Sequence, residues 1–216
     1  MAKVSPSILA ADFVNLERDI HQIEASQADW IHVDVMDGTF VPNFSFGLPA
    51  LKAVRRVTDM PLDVHLMIER PIRYVERFVA AGADWLTIHI EADTQENTME
   101  ALKKIRSMGS KAGISLKPGT GAEEALPYLS LCDLVLVMTV QPGFGGQKFK
   151  EDMMPKLAAL RRCLDDVNPG CVLSVDGGID DITAPICKQN GAEILVTGSA
   201  YFRAADQEGY VRRLQA

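Results

Sequence analysis

Short apolar, β-branched runs alternate with stretches of helical periodicity from one end of the chain to the other. Such a run, about four to eight residues long and bounded by turn signals, predicts a strand, whereas apolar residues at i, i+3 and i+4 predict a helix. Val4–Leu9 is then the first strand, and Asn15–Ala25 the first helix, with Leu16, Ile20 and Ile23 on one side. Trp30–Asp34 and Pro49–Val57 form the second unit, Leu62–Leu66 and Ile72–Ala81 the third, Trp85–His89 and Glu96–Met108 the fourth. Lys111–Leu116 pairs with Glu123–Ser130, a helix that Pro127 is expected to shorten or kink. Leu134–Met138, a glycine-rich loop and Met153–Asp166 make the sixth unit. Val172–Asp176 with Thr183–Asn190 and Ile194–Thr197 with Glu208–Leu214 complete the series.

Strict strand–helix alternation implies parallel strands joined by crossover helices. Eight units in 216 residues predict an α/β fold, a single-domain (β/α)8 TIM barrel over residues 1–216. The competing architecture, an open doubly wound sheet, calls for a Gly-x-Gly-x-x-Gly turn after the first strand. Ala10-Ala11-Asp12-Phe13 stands there instead.

Within the second strand, His32 and Asp34 share one face, followed by Met36, while Ile31, Val33 and Val35 point the other way. An imidazole and a carboxylate side by side on a buried face need a partner. A core hydrogen bond, a divalent metal and a proton-transfer task all meet that need.

Composition removes several function classes. The formal net charge of −7 disfavours a sequence-independent grip on nucleic acid or an anionic membrane. No apolar run approaches the roughly 20 residues of a membrane helix, and no signal-peptide pattern opens the chain. Cys132, Cys163, Cys171 and Cys187 lack metal or redox spacing, so reduced thiols and a cytoplasmic location are expected.

The polar residues gather at the C-terminal strand ends, where barrels build their sites. Ser7, His32, Asp34, His65, His89, Lys117, Met138, Asp176, Gly198 and Ser199 all fall there, and only His21 of the 4 histidines lies in a helix. One strand-end histidine is ordinarily a satisfied core residue; three on consecutive strands, joined by two carboxylates, indicate a functional site. His32, Asp34, His65 and Asp176 form a set able to hold one divalent cation, and the residue types do not rank zinc, iron(II), manganese and cobalt. His89 stays outside that set. Gly143, Gly145 and Gly146 follow the sixth strand, Gly177 and Gly178 the seventh, Gly198 and Ser199 the eighth. Each cluster alone is an ordinary turn, but three on neighbouring loops predict a phosphate site. Met36, Met67 and Met138 either fill gaps in the core or cover a ligand.

A cation and two carboxylates facing a phosphate site suggest proton transfer beside the carbonyl of a sugar phosphate. Asp34 on the second strand and Asp176 on the seventh are expected to flank a substrate from opposite sides of the barrel mouth, as inversion of a carbon requires.

Ser5-Pro6-Ser7-Ile8-Leu9-Ala10-Ala11-Asp12, His32-Val33-Asp34-Val35-Met36-Asp37-Gly38 and Asp63-Val64-His65-Leu66-Met67 closely resemble the ribulose-phosphate 3-epimerase family. Met138-Thr139-Val140-Gln141-Pro142-Gly143-Phe144-Gly145-Gly146-Gln147 and Val175-Asp176-Gly177-Gly178-Ile179 extend the resemblance to the far end of the chain. It implies a metal-dependent epimerase interconverting D-ribulose 5-phosphate and D-xylulose 5-phosphate by 1,1-proton transfer. His32, Asp34, His65 and Asp176 match the metal ligands, and Asp34 and Asp176 the acid/base pair. Ser7 matches a substrate contact, Gly145, Gly146, Gly177, Gly178, Gly198 and Ser199 the phosphate site, and the three methionines its cap. A homo-oligomer acting on a small ketose phosphate is the further implication.

Lys117 and Gln141 depart from the family pattern, and Lys117 either reaches into the site or points to solvent. The related D-allulose 6-phosphate 3-epimerases share the metal set and stay an alternative for substrate. Related decarboxylating barrels carry Asp-x-Lys-x-x-Asp, and Met36 stands where their lysine would be. A barrel that binds phosphate without turnover would be expected to lack one of the two aspartates.

Overall fold

Eight parallel strands run around a barrel in the order β1-β8-β7-β6-β5-β4-β3-β2. They are β1 Lys3–Pro6, β2 Ile31–Met36, β3 Leu62–Met67, β4 Trp85–His89, β5 Lys111–Leu116, β6 Leu134–Met138, β7 Val172–Asp176 and β8 Ile194–Thr197. A bridge between Ser7 and His32 joins β1 to β2 across the remaining seam. The structure is a computed structural model and describes all of residues 1–216. The α-helices are α1 Leu16–Ala25, α2 Leu48–Val57, α3 Val75–Ala80, α4 Gln95–Ser107, α5 Met154–Val167, α6 Thr183–Gln189, α7 Ser199–Arg203 and α8 Gln207–Gln215, the last two following β8.

Several predicted boundaries shift for local reasons. The first strand stops at Pro6, not Leu9, because Ser7 caps a 3-10 turn by accepting from the Leu9 amide. The helix predicted from Ile72 divides into a 3-10 turn at Pro71–Arg73 and α3. Around Pro127 the chain forms a 3-10 helix, Ala122–Leu131, in place of an α-helix, since proline removes a backbone donor. The short α7 was not foreseen; five residues are too few to show a helical period.

Outward-facing Val, Ile and Leu from the strands pack under the helices in one large core. Inside the barrel, the end opposite the strand C-termini is plugged by Trp30 stacked on Trp85, with ring centroids 4.6 Å apart. The register then fixes the other end. His32 pairs with Asp63, Asp34 with His65 and Met36 with Met67, so β2 and β3 present matched layers to the barrel interior.

Candidate active site

A cleft of about 820 Å³ opens at the strand C-termini. Asp34 and Asp176 meet at its floor, Met36, Met67 and Met138 line it, and Ser7 lines it beside Asp34. Gly143, Gly145, Gly146, Gly177, Gly178, Gly198 and Ser199 line the side formed by the loops after β6, β7 and β8. His32 and His65 are fully buried beneath.

The four predicted ligand side chains converge: one donor atom from each of His32, Asp34, His65 and Asp176 lies within 4.8 Å of the others. Asp34 Oδ1 is 3.2 Å from His32 Nε2 and 3.1 Å from His65 Nδ1. Asp176 Oδ2 is 4.0 Å from the same His65 nitrogen. Two imidazole nitrogens and two carboxylates aimed at one point are a mixed N/O donor set that fits a divalent cation. Ser7 Oγ donates to the other Asp34 oxygen at 2.6 Å.

Burial opposes ionisation of Asp34, but the charge and hydrogen bond of His32 outweigh it, with the neighbouring His65 ring adding to the effect, and hold the carboxyl well below its ordinary range. Asp176 moves the other way: burial, reinforced by the charge of Asp34, pushes it up to about 6. Burial also opposes protonation of His32, yet Asp34 and Asp63 lift it well above its ordinary value. Proton and cation thus compete for the same imidazole lone pair. His89 is brought down to about 4 by burial, despite its bond to Glu91.

Three neighbours of this centre escaped the sequence reading. Asp63 Oδ2 accepts from His32 Nδ1 at 2.7 Å. Its signal was present, since Asp63-x-His65 repeats on β3 the period-two pairing of His32-x-Asp34 on β2. Glu91 bonds His89, but it lies in a 3-10 turn that strand periodicity does not cover. Ser45 ties the loop after β2 to its own strand, donating to the Asp34 carbonyl and accepting from the Met36 amide. Lys117 does neither thing expected of it. Its ammonium sits 3.6 Å from the centre of the Phe40 ring, outside the cleft lining, whereas Gln141 lines the cleft.

On the phosphate side, Gly177 (φ +124°) and Gly178 (φ +67°) occupy left-handed backbone, and a Cβ on Gly178 would lie 2.7 Å from the Phe149 amide nitrogen. The Asn43 side chain donates to the Gly143 carbonyl at 2.8 Å, joining the loop after β2 to the glycine loop.

A family model described as the ribulose-phosphate 3 epimerase family matches residues 3–202. The chain belongs to the ribulose-phosphate 3-epimerase family. It is 44% identical to the ribulose-phosphate 3-epimerase of Bacillus subtilis over 216 residues, covering 100% of this chain and 99% of the relative. It is 46% identical to that of Treponema pallidum, covering 92% and 90% of the two chains. Among solved structures, 3-keto-L-gulonate-6-phosphate decarboxylase from Vibrio cholerae superposes with a TM-score of 0.74 at 13% identity, covering 100% of this chain and 96% of that one. A 3-hexulose-6-phosphate synthase matches with a TM-score of 0.69 at 20% identity, covering 99% and 98%. At those identities the two structures speak to the barrel fold alone.

Proposed function

We propose that this chain inverts carbon 3 of D-ribulose 5-phosphate to give D-xylulose 5-phosphate, by proton transfer through an enediolate. The observation that carries this reading is the meeting of Asp34, from β2, and Asp176, from β7, at the floor of a cleft whose far wall is glycine-rich. One carboxylate takes the proton from carbon 3, and the other, on the opposite side, returns a proton to the other face. The roles exchange when the reaction runs backwards. The Ser7 hydroxyl orients Asp34, and the backbone amides of the Gly177-Gly178 and Gly198-Ser199 loops hold the phosphate. Met36, Met67 and Met138 make an apolar wall that keeps water from the reacting carbon.

His32, Asp34, His65 and Asp176 would hold the cation, with zinc, iron(II), manganese and cobalt all suited to the set. When bound, such an ion supplies positive charge beside the substrate oxygens, stabilising the anionic character that develops there. The four free cysteines suit a reducing compartment, the cytoplasm, and no helix is long and apolar enough to cross a membrane.

The test is conversion of D-ribulose 5-phosphate by purified protein before chelation, after it, and after metal is restored. Loss and recovery of turnover are expected. Full turnover in a verified metal-free sample would remove the cation from the scheme. Turnover of D-allulose 6-phosphate alone would move the substrate to six carbons.

A further inference from the structure

His65 differs from His32 in what holds its outer nitrogen. His32 Nδ1 meets a carboxylate directly, that of Asp63. His65 Nε2 instead meets a second imidazole, 2.9 Å from His89 Nε2, and His89 Nδ1 meets Glu91 Oε2 at 3.0 Å. We propose that Glu91 and His89 are positioning residues that fix the tautomer of His65, turning the lone pair of its Nδ1 toward the cation site. This rests on reading His32, Asp34, His65 and Asp176 as that site.

The direction of the relay follows from its outer end. Glu91 Oε1 accepts from the Lys117 backbone amide at 2.6 Å and from the Thr120 hydroxyl. A backbone amide can only donate, so Oε1 is fixed as an acceptor. An ionised carboxylate has no hydrogen to give, so His89 Nδ1 must donate to Oε2. In a neutral His89 ring the other nitrogen, Nε2, is then the acceptor. Two nitrogens 2.9 Å apart share one hydrogen, and it must come from His65 Nε2. His65 is left with a bare Nδ1, 3.1 Å from Asp34 Oδ1 and 4.0 Å from Asp176 Oδ2, a group of acceptors that a cation would satisfy. The ring of Phe40 packs on His89 with centroids 4.8 Å apart, and the Lys117 ammonium covers Phe40 in turn. The relay is thereby held in place and shielded. Such outer partners set the tautomer and orientation of ligating histidines in general.

One atom reverses the relay. In Glu91→Gln the amide oxygen must keep the Oε1 place, because the Lys117 amide would oppose an NH2 there. The NH2 group then faces His89 Nδ1 and forces it to accept. His89 Nε2 becomes the donor, and His65 carries its hydrogen on Nδ1, where the cation belongs.

Two readouts test this on the full-length protein. The first is the zinc dissociation constant from competition with a chromophoric chelator, for wild type, Glu91→Gln, Thr120→Val and Asp176→Asn. The second is the long-range 1H–15N imidazole spectrum, recorded on the zinc-loaded wild type and on Glu91→Gln. The wild-type spectrum should show hydrogen on His89 Nδ1 and His65 Nε2, and Glu91→Gln should move the His89 hydrogen to Nε2. Zinc should bind Glu91→Gln about 10–100-fold more weakly than wild type. Thr120→Val, which removes a loop contact without reversing the relay, should leave the zinc dissociation constant unchanged.

Hydrogen on His89 Nε2 in the wild type, wild-type zinc affinity in Glu91→Gln, or an equal loss in Thr120→Val would each overturn the role. The wild-type spectrum decides even if a variant fails to fold. Failure of the wild type to bind zinc, or unchanged binding by Asp176→Asn, would instead overturn the cation site, and this role with it.

Discussion

The Ser7 hydroxyl donates to Asp34 at 2.6 Å, across the seam where β1 closes onto β2. That bond lies on the carboxylate oxygen that does not face the histidines, so one side chain serves both barrel closure and the acid/base group. Ser7→Ala removes the donor and leaves the oxygen unpaired. A hydrogen bond to a charged group contributes about 1.5–3 kcal/mol. We expect kcat/KM to fall by about 10–100-fold, read by steady-state kinetics, since about 1.4 kcal/mol corresponds to a tenfold change.

The two carboxylates carry the larger effect. Asp34→Asn and Asp176→Asn each remove a proton-transfer group while preserving shape, and each should lower kcat by about 10²–10⁴-fold or more. Circular dichroism should show the barrel intact. Substantial residual turnover by Asp176→Asn would contradict a two-carboxylate mechanism.

The phosphate wall depends on backbone that only glycine adopts without strain. Gly178→Ala places a Cβ against the Phe149 amide at a φ of +67°. We expect a loss of about 1–3 kcal/mol in urea unfolding, together with a raised KM for the sugar phosphate.

Glu91 predicts a signature in acid. Burial alone would raise its pKa, but hydrogen bonds from His89, Thr120 and the Lys117 amide outweigh that and bring it from 4.5 to about 2. A carboxyl depressed by folding contributes stability above its unfolded pKa and loses it as pH falls through the folded one. The wild type should therefore exceed Glu91→Gln in stability by about 3 kcal/mol at neutral pH. That difference should begin to shrink below pH 4.5 and vanish near pH 2, as followed by urea unfolding across the range.

Much of this was legible in the residues. The strands β4 to β8 end where their β-branched runs end, and His32, Asp34, His65 and Asp176 converge as their strand-end positions implied. Period two alone assigns each side chain to a face, and register does the rest. What stayed hidden depends on partners distant in sequence. Glu91 gains meaning only from Lys117 and Thr120 on the loop after β5. The place of Lys117 was set by Phe40, a ring on another loop that no local pattern ties to it. The short α7 and the 3-10 turn at Ile8–Ala10 escaped because each spans too few residues to display a period.

The most direct test of the central claim is proton NMR of the metal-loaded protein with D-ribulose 5-phosphate in deuterated water. D-xylulose 5-phosphate carrying deuterium at carbon 3 is expected, because the proton removed on one face is not the one returned on the other. Product that retains its original hydrogen at carbon 3, or no product with metal present, would contradict it.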